Sequence, residues 1–585
     1  MAQFFKYFFA ALLALFVFSL LAIFLLFGIA GALASKEEVT LESHSVLYLD
    51  LGKQIGENAR ENPLGPLSGD EPYAYPGVFD MVRLITHAGG DDQVDGLYLK
   101  VGSNANGFAT NEELRNALKK FKQAGKFIIA YGEVIPQQAY HVASLADKIY
   151  VHPKGGLDWR GFGLQYVFFK KALDRLEIEP QIFYAGKFKS ATEPFREEQM
   201  TEPNKIQSRE ILEDLYRHFL GETAAARKLD SARLRQMADS NSLRMAMDGV
   251  KAGLLDGVKY EDEVKEEIRR KSGAKTIDRI SFVSMATYSQ AVNYQSGTGT
   301  DRIALLYAEG NIVDGDGDEN NIGGDRFRRY IRKARLDDKT KAIVIRINSG
   351  GGSAMASENM WREIELAKKD KPVVVSFGDV AASGGYYMAC NADSIFALPN
   401  TITGSIGVFS IIPNMKGFLG NKLGITFDGV GTGPYSNSPS ITEPLTETER
   451  RFFQAGVDSI YLTFLTRVAE GRKMAVTAVD SVGQGRIWAG QRAIGLGLVD
   501  RIGGMADALE AAAKLARIKE YRVREYPEKL NLLERLTGAY KHTVGVEAAR
   551  KEMGEDIFRL YQEWQQVKSS IGEAQTKLPF RLIFH

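Results

Sequence analysis

Cysteine is nearly absent from this sequence of 585 residues, in which Cys390 is the single example. One cysteine excludes an intramolecular disulfide framework and a zinc cluster built on thiolates. The H-E-x-x-H signature of zinc peptidases is also missing. Lysine and arginine together number 74 against 73 acidic residues, so the net charge is only +1. Without a basic excess, nucleic acid is not an expected partner. Because neither a thiolate cluster nor an H-E-x-x-H signature is present, no metal ion is expected either.

Nucleotide-binding glycine motifs are missing as well. The glycine run at 350–355 lacks the third glycine of G-x-G-x-x-G. It also lacks the Lys-Ser/Thr pair of a P-loop. No nucleotide cofactor is therefore expected.

Histidine is scarce, and its placement excludes one catalytic arrangement. The second half of the chain has no histidine between residues 219 and 541, so a Ser-His-Asp triad within it is excluded. A serine nucleophile there needs another base, and the remaining common one is a lysine kept neutral by burial. The seven histidines are His44, His87, His141, His152, His218, His542 and His585.

The sequence does contain an internal duplication. Residues 91–161 align without a gap onto residues 337–407 at a constant offset of 246, the difference between 337 and 91. The copies differ where small residues cluster, because only the second has Ser-Gly-Gly at 383–385 and Ser-Gly-Gly-Gly at 349–352. Because the first copy lacks both glycine-rich segments, we expect the two segments to serve one function in the second copy.

A lysine and a serine are exchanged farther along the two copies. There the offset becomes 247, and Lys189 of the first copy lies opposite Ser436 of the second. One copy thus holds a serine in a glycine-rich turn, and the other holds a lysine without a counterpart. Each copy therefore carries a candidate residue that the other copy lacks.

Short β-branched runs alternate with helical patterns in both copies, which predicts an α/β fold of parallel β-α-β units. In the second copy we expect strands at 342–347, 372–377 and 394–397, a helix over about 354–368, and a helix that opens near Ser383. The predicted division of the chain is a cytoplasmic N-terminus at 1–6, a transmembrane signal anchor at 7–34, an N-terminal repeat at 35–292, a linker at 293–300, a C-terminal repeat at 301–517, and a helical appendage at 518–585 with a helix around 546–568.

The segment from Tyr7 to Ala34 is unbroken by charge and rich in Leu, Phe and Ala. At roughly 20 apolar residues per bilayer crossing, it is long enough to span a membrane. A cleavable signal peptide is the alternative, since Ala32-Leu33-Ala34 has the small-x-small form of a processing site. The apolar run exceeds the usual h-region of about 7–15 residues, so an uncleaved anchor is favoured.

Ser383 is a candidate nucleophile because it precedes two glycines at a predicted strand-to-helix turn. Backbone N–H groups at such a turn lack helical partners and favour an anion. Gly384, together with Gly351 or Gly352, is expected to bind the oxyanion formed when the serine attacks a carbonyl. Lys189 is the candidate base, with His141 as a second candidate. The competing interpretations are an N-cap serine and an ordinary surface lysine.

Five motifs resemble the long form of the signal peptide peptidase A family, also called protease IV, and the similarity covers nearly the whole chain. They are FKSATEPF at 188–195, RINSGGGS at 346–353, GDVAASGGYY at 378–387, TGSIG at 403–407 and GRIW at 485–488. The resemblance implies a tandem duplication of a Clp protease/crotonase-like β-β-α domain, preceded by one transmembrane helix.

The resemblance also implies roles for individual residues. Ser383 matches the nucleophile, Lys189 rather than Lys187 matches the general base, and Ser405 matches a serine that helps hold the lysine amine. One departure is Gly350, which stands where the family usually has proline. The substitution loosens the turn but leaves the oxyanion donors in place.

The implied protein is a membrane-anchored serine endopeptidase that degrades cleaved signal peptides and other unfolded apolar peptides through an acyl-enzyme. It would be single-pass in the bacterial inner membrane, with its catalytic domains on the periplasmic side, and would form a homo-oligomer, a tetramer in the family, without a cofactor. Two other interpretations compete with this one: a crotonase-type acyl-CoA enzyme, and a non-catalytic membrane scaffold or protease regulator.

Overall fold

The computed structural model describes residues 2–34, 39–59, 74–295, 297, 299–318, 320–528 and 574–577. The first copy contains strands β1 Ser45–Asp50, β2 Val94–Lys100, β3 Phe127–Ile135, β4 Lys148–Leu157, β5 Glu179–Ala185, β6 Gly257–Val258 and β7 Phe282–Ser284. Helices before and within this copy lie at Ala2–Ala34, Val78–Gly89, Phe108–Gln123, Gln137–Ala143, Lys170–Leu176, Glu193–Arg196, Glu202–Arg227, Ser231–Asp239, Ala246–Lys251, Glu261–Ser272 and Met285–Ala291.

The second copy repeats this alternation. Its strands are β8 Arg302–Glu309, β9 Asn311–Val313, β10 Asn321–Gly323, β11 Thr340–Ser349, β12 Gly351–Ser353, β13 Val373–Ala382, β14 Ser394–Ala397, β15 Ile402–Gly404, β16 Val408–Asn414, β17 Ile487–Ala489, β18 Arg501–Ile502, β19 Arg522–Tyr526 and β20 Gln575–Lys577. Its helices lie at Gly324–Leu336, Ala354–Lys368, Gly384–Ala389, Glu447–Arg472, Val476–Val482, Gly490–Gly495 and Met505–Leu515.

Each copy has its own mainly parallel sheet. The first is ordered β6-β4-β3-β2-β1-β7, and the second is ordered β17-β15-β13-β11-β8-β19, with β14 and β18 beside it. Strand β11 is almost wholly buried because helices cover both faces of the sheet, which is why its residues 342–345 form a continuous apolar run. The prediction of an α/β fold with parallel β-α-β units is confirmed.

The same hydrogen bonds occur in both copies. Tyr140 Oη donates to Leu254 O at 2.6 Å, and its counterpart Tyr386 donates to Leu498 O at 2.9 Å. Helices Glu202–Arg227 and Glu447–Arg472 both end at a lysine with φ 54° and ψ 45°. The duplication in the sequence is therefore a duplication of tertiary structure.

A third sheet joins the two copies, and the sequence did not predict it. Its order is β10-β9-β12-β20-β16-β5, so strand β5 of the first copy pairs with β16 of the second. That pairing is antiparallel and runs from Ala185 opposite Val408 to Glu179 opposite Asn414. The connection carries the segment after β5, which includes Lys189, into the second copy.

The appendage predicted at 518–585 contributes strands where it is described. Strand β19 pairs with β8, and β20 lies between β12 and β16. The helix predicted around 546–568 lies outside the described residues.

Helix Ala2–Ala34 includes the segment predicted to be a membrane anchor. Within the residues that the structure describes, no helix meets the length and apolarity that a membrane crossing requires. The transmembrane helix predicted at 7–34 is thus not shown.

Candidate active site

Ser383 lies at the turn between β13 and helix Gly384–Ala389, beyond the carboxyl end of a parallel strand. Its side chain is fully buried, and its backbone has φ 53° and ψ −116°, which a residue with a Cβ rarely adopts. Ser383 N donates to Gly404 O at 2.8 Å, and Ser383 O accepts from Tyr387 N at 2.7 Å. These contacts hold the serine in a strained conformation of the kind found at functional sites.

The Lys189 amine reaches Ser383 from the other copy. Lys189 Nζ lies 2.9 Å from Ser383 Oγ, 3.1 Å from Ser405 Oγ and 3.3 Å from Ser405 O. Burial lowers the pKa of Lys189 well below that of an ordinary lysine, because removal from water disfavours the ammonium form. A neutral amine at this distance is able to accept the serine proton.

The second copy holds the backbone around Lys189. Phe188 N donates to Gln484 O at 2.8 Å. Gly485 approaches so closely that a Cβ on it would lie 2.6 Å from Lys189 N. Any larger residue at 485 would push the lysine segment away. Lys189 is thus positioned jointly by β5 and by the loop before β17.

Ser405 lies where the resemblance implied, beside the lysine amine. It is fully buried with φ 50°, and its N–H donates to Arg486 O at 2.7 Å. Its hydroxyl and carbonyl oxygens both face Lys189 Nζ. Lys187, by contrast, is exposed, and its amine lies 5.2 Å from the centre of the Phe188 ring.

The glycine-rich turn after β11 lies next to Ser383 and Gly384. A Cβ on Gly351 would be 2.6 Å from Gly384 N, so the two predicted oxyanion segments adjoin. Gly351 N, however, donates to Ser349 Oγ at 3.1 Å, and that hydroxyl donates to Gly310 O at 2.6 Å. The Gly351 N–H is therefore used within the turn, which leaves Gly352 and Gly384 as the candidate oxyanion donors. The two hydrogen bonds of the Ser349 hydroxyl also restrain the turn at Gly350, where the resemblance led us to expect a proline.

Strand β20 brings a residue to the site that the sequence did not predict. Thr576 is fully buried, and a Cβ on Gly384 would lie 2.7 Å from Thr576 Oγ1 and 3.1 Å from Thr576 O. A four-residue stretch with no apolar alternation gives no signal of strand pairing. Its position is visible only in the tertiary structure.

A separate cluster in the first copy has the spacing of a metal site. Glu112 Oε2 lies 2.8 Å from His141 Nε2 and 3.0 Å from His218 Nε2, and the three atoms lie within 4.8 Å of one another. Both rings already share the Glu112 oxygen, and in the second copy the equivalent Glu358 accepts a hydrogen bond from Tyr387. We therefore interpret the cluster as a structural hydrogen-bond network. His141, the second candidate base, is bound to Glu112, whereas Lys189 contacts Ser383.

Known proteins match this chain over most of its length. Peptidase family S49 matches residues 120–275 and 365–519, one segment in each copy. Protease 4 of Salmonella typhi is 34% identical over 472 residues, which cover 78% of this chain and 75% of that protein. Protease 4 of Haemophilus influenzae is 32% identical over 501 residues, which cover 83% of this chain and 81% of that protein.

A chloroplast protein gives a similar match. The serine protease SPPA of Arabidopsis thaliana is 30% identical over 481 residues, which cover 80% of this chain and 70% of that protein. With both copies matched and relatives aligned across the duplication, this chain belongs to peptidase family S49, as a serine peptidase of the long protease 4/SppA type.

Proposed function

We propose that the protein is an endopeptidase that uses Ser383 as its nucleophile and Lys189 as its general base. The observation that carries the proposal is the 2.9 Å contact between Lys189 Nζ and Ser383 Oγ. Burial of both groups supports it, because burying a lysine destabilises the fold and provides in its place a neutral amine beside the serine. A scaffold gains nothing from that cost, so the contact favours catalysis over the scaffold alternative.

The reaction proceeds by acyl transfer. Neutral Lys189 accepts the Ser383 hydroxyl proton while Oγ attacks the carbonyl carbon of a peptide bond. The N–H groups of Gly352 and Gly384 bind the oxyanion, and protonated Lys189 delivers its proton to the leaving amine. Lys189 then activates a water molecule, which hydrolyses the ester and restores the serine. Ser405 holds the amine in position through both half-reactions.

The substrate binds as an extended strand. Its place is the groove that β20 occupies, where strands β12 and β16 lie on either side and supply the backbone partners. Backbone pairing of this kind requires an unfolded chain, so folded proteins are excluded. Cleaved signal peptides and other unfolded apolar peptides are the substrates that we propose.

Location and assembly stay predictions from the sequence. They comprise association with a lipid bilayer, single-pass anchoring in the bacterial inner membrane with the catalytic domains on the periplasmic side, and a homo-tetramer. Carbonate extraction and protease accessibility of spheroplasts test the first two, and light scattering of detergent-solubilised protein tests the third.

The central experiment measures cleavage of a fluorogenic apolar peptide by the full chain and three variants. Ser383→Ala and Lys189→Ala are expected to lose at least about 10³-fold in kcat/KM, because the two residues act as a unit. Lys187→Ala, in the same loop but exposed, is the matched control and should retain activity. Full activity of Lys189→Ala would overturn the base assignment. A wild type that is inactive on varied peptides and binds coenzyme A would favour the acyl-CoA alternative, and inactivity without that binding would favour the scaffold.

A further inference from the structure

Strand β20 lies in the groove where the proposed function places a substrate. It pairs antiparallel with β12, with Gly351 opposite Lys577, Gly352 opposite Thr576 and Ser353 opposite Gln575. On its other edge, Gln575 pairs with Phe409 of β16. A segment of the chain itself is therefore held by backbone pairing on both sides, as a peptide substrate would be.

The register of the pairing between β12 and β20 determines which carbonyl oxygen lies at the candidate oxyanion donors. Ala354 N donates to Ala574 O at 3.2 Å. Hydrogen-bonded pairs alternate along an antiparallel ladder, so the next such pair is Gly352 with Thr576. Gly352 N–H thus faces Thr576 O, which is the bond that the proposed mechanism assigns to the oxyanion.

The second donor is at the same oxygen. A Cβ on Gly351 would lie 1.9 Å from Thr576 O and 2.6 Å from Gly384 N, so the carbonyl and the amide share one small space. Only glycine at 351 leaves room for this approach. Because Gly384 directly follows Ser383, the Thr576 carbonyl lies in the position of a scissile carbonyl.

The Thr576 side chain is also accommodated. Its hydroxyl donates to Gly352 O at 3.1 Å, and both Thr576 Oγ1 and Ser357 Oγ would lie 2.7 Å from a Cβ on Gly384. The pocket that holds the Thr576 side chain is therefore lined by the Ser357 hydroxyl and by Gly352 and Gly384.

We propose that the chain is a substrate of its own site and that Ser383 cleaves the peptide bond between Thr576 and Lys577. The inference rests on the proposed function. Ser383 Oγ bonds to the Thr576 carbonyl carbon, the bond to Lys577 N breaks, and Lys189 passes the serine proton to that nitrogen. Water then hydrolyses the Thr576 ester, so a chain that ends in a Thr576 carboxylate remains and the part that begins at Lys577 is released.

The test is the intact mass and C-terminal peptide map of the purified full chain, compared with Ser383→Ala and Lys577→Pro. The wild type should end at Thr576, and Ser383→Ala should keep the residues that follow. Lys577→Pro should also stay uncut, because a bond to proline is a poor substrate, and it should cleave a fluorogenic peptide more slowly than the wild type, because its uncut β20 stays in the groove. An intact wild type that hydrolyses the fluorogenic peptide would overturn self-cleavage and leave the proposed function standing.

Two further outcomes distinguish failure of the inference from failure of the proposed function. A cut after Thr576 that also occurs in Ser383→Ala would come from another protease and would overturn the inference. Loss of both self-cleavage and peptide hydrolysis in the wild type would overturn the proposed function itself. A synthetic peptide spanning residues 569–585 should be cut by the wild type between the residues equivalent to Thr576 and Lys577, and cutting at any other bond would contradict the register of β20.

Discussion

Lys189 and Ser383 are 194 residues apart in the sequence, and their functional atoms lie 2.9 Å apart in the structure. The distance is short because strand β5 of the first copy pairs with β16 of the second in the third sheet. The proposed base and the proposed nucleophile, from different copies, therefore meet in a fully buried space. The chemistry of this pair determines how activity should depend on pH.

We expect kcat/KM to rise with pH through the lowered pKa of Lys189 and then level off. Burial lowers that pKa, so the neutral amine needed to accept the serine proton is present well below pH 10.5. Lys189→Arg should be inactive at every pH, because arginine stays protonated. An activity limb that begins only near pH 10.5 would contradict a buried, neutral base.

Lys189→Met should be inactive yet more stable than the wild type at neutral pH. Because the folded state lowers the lysine pKa, the unfolded chain binds more protons between that value and 10.5, and wild-type stability rises with pH across this window. Methionine removes this pH-dependent cost of burying the amine, so the Tm should increase at pH 7 and by less near pH 10. Thermal unfolding checks this, with Lys187→Met as the exposed control. A lower Tm at pH 7 would show that the amine is stabilising.

Ser405→Ala should lower kcat/KM by about three- to tenfold, since one hydrogen bond to the lysine amine is worth roughly 1 kcal/mol. The pH midpoint of the activity should shift as well, because the hydroxyl faces Nζ. Steady-state kinetics at several pH values measure both effects. Ser436→Ala, in an exposed loop, is the matched control and should leave the profile unchanged. An unchanged pH profile in Ser405→Ala would exclude a role in positioning the amine.

Gly351→Ala should reduce kcat by about a hundredfold or more, because its Cβ would overlap the space shared by Gly384 N and the bound carbonyl. Gly125→Ala separates this effect from backbone strain. Gly125 has φ 90°, close to the 97° of Gly351, but a Cβ there meets nothing within 4 Å. The control should lose some stability and keep its activity. Equal losses of activity in the two variants would point to strain alone.

Arg346→Ala should destabilise the fold strongly, by about 3–5 kcal/mol. Arg346 of the second copy is fully buried and forms ion pairs with Glu57 at 2.8 Å and Glu113 at 2.5 Å, both from the first copy. Removing the guanidinium leaves two buried carboxylates without their cation. Denaturant unfolding measures the loss, and Lys170→Ala, which breaks the exposed pair with Asp174, should have far less effect. A small loss of unfolding free energy for Arg346→Ala would mean that water hydrates the two carboxylates.

Local patterns predicted much of the second copy. The helix expected at 354–368 and the strand at 394–397 have those bounds, because apolar periodicity and the Ser353 cap act within a few residues. Ser383, Lys189 and Ser405 also meet, which the motif resemblance implied and local periodicity alone did not. Their catalytic roles remain predictions.

Contacts between distant segments were not predictable from local patterns. Strand β20 is held by backbone pairing that any sequence of suitable shape can make, so its residues carry no periodic signal. No local pattern marks Glu57 and Glu113 as buried, since only their pairing with Arg346 makes burial tolerable. The use of the Gly351 N–H by Ser349 likewise depends on the conformation of the turn.

The sheet that unites β5 with β16 has a consequence for how the molecule loses its structure. Duplicated domains joined by a linker commonly melt one after the other, each with its own midpoint. Here the first copy cannot unfold without removing the edge strand β5 from the sheet that both copies build, and the buried Arg346 would lose both of its carboxylates in the same event. We therefore expect the two copies to unfold in a single cooperative transition, and loss of structure in either copy to separate Lys189 from Ser383.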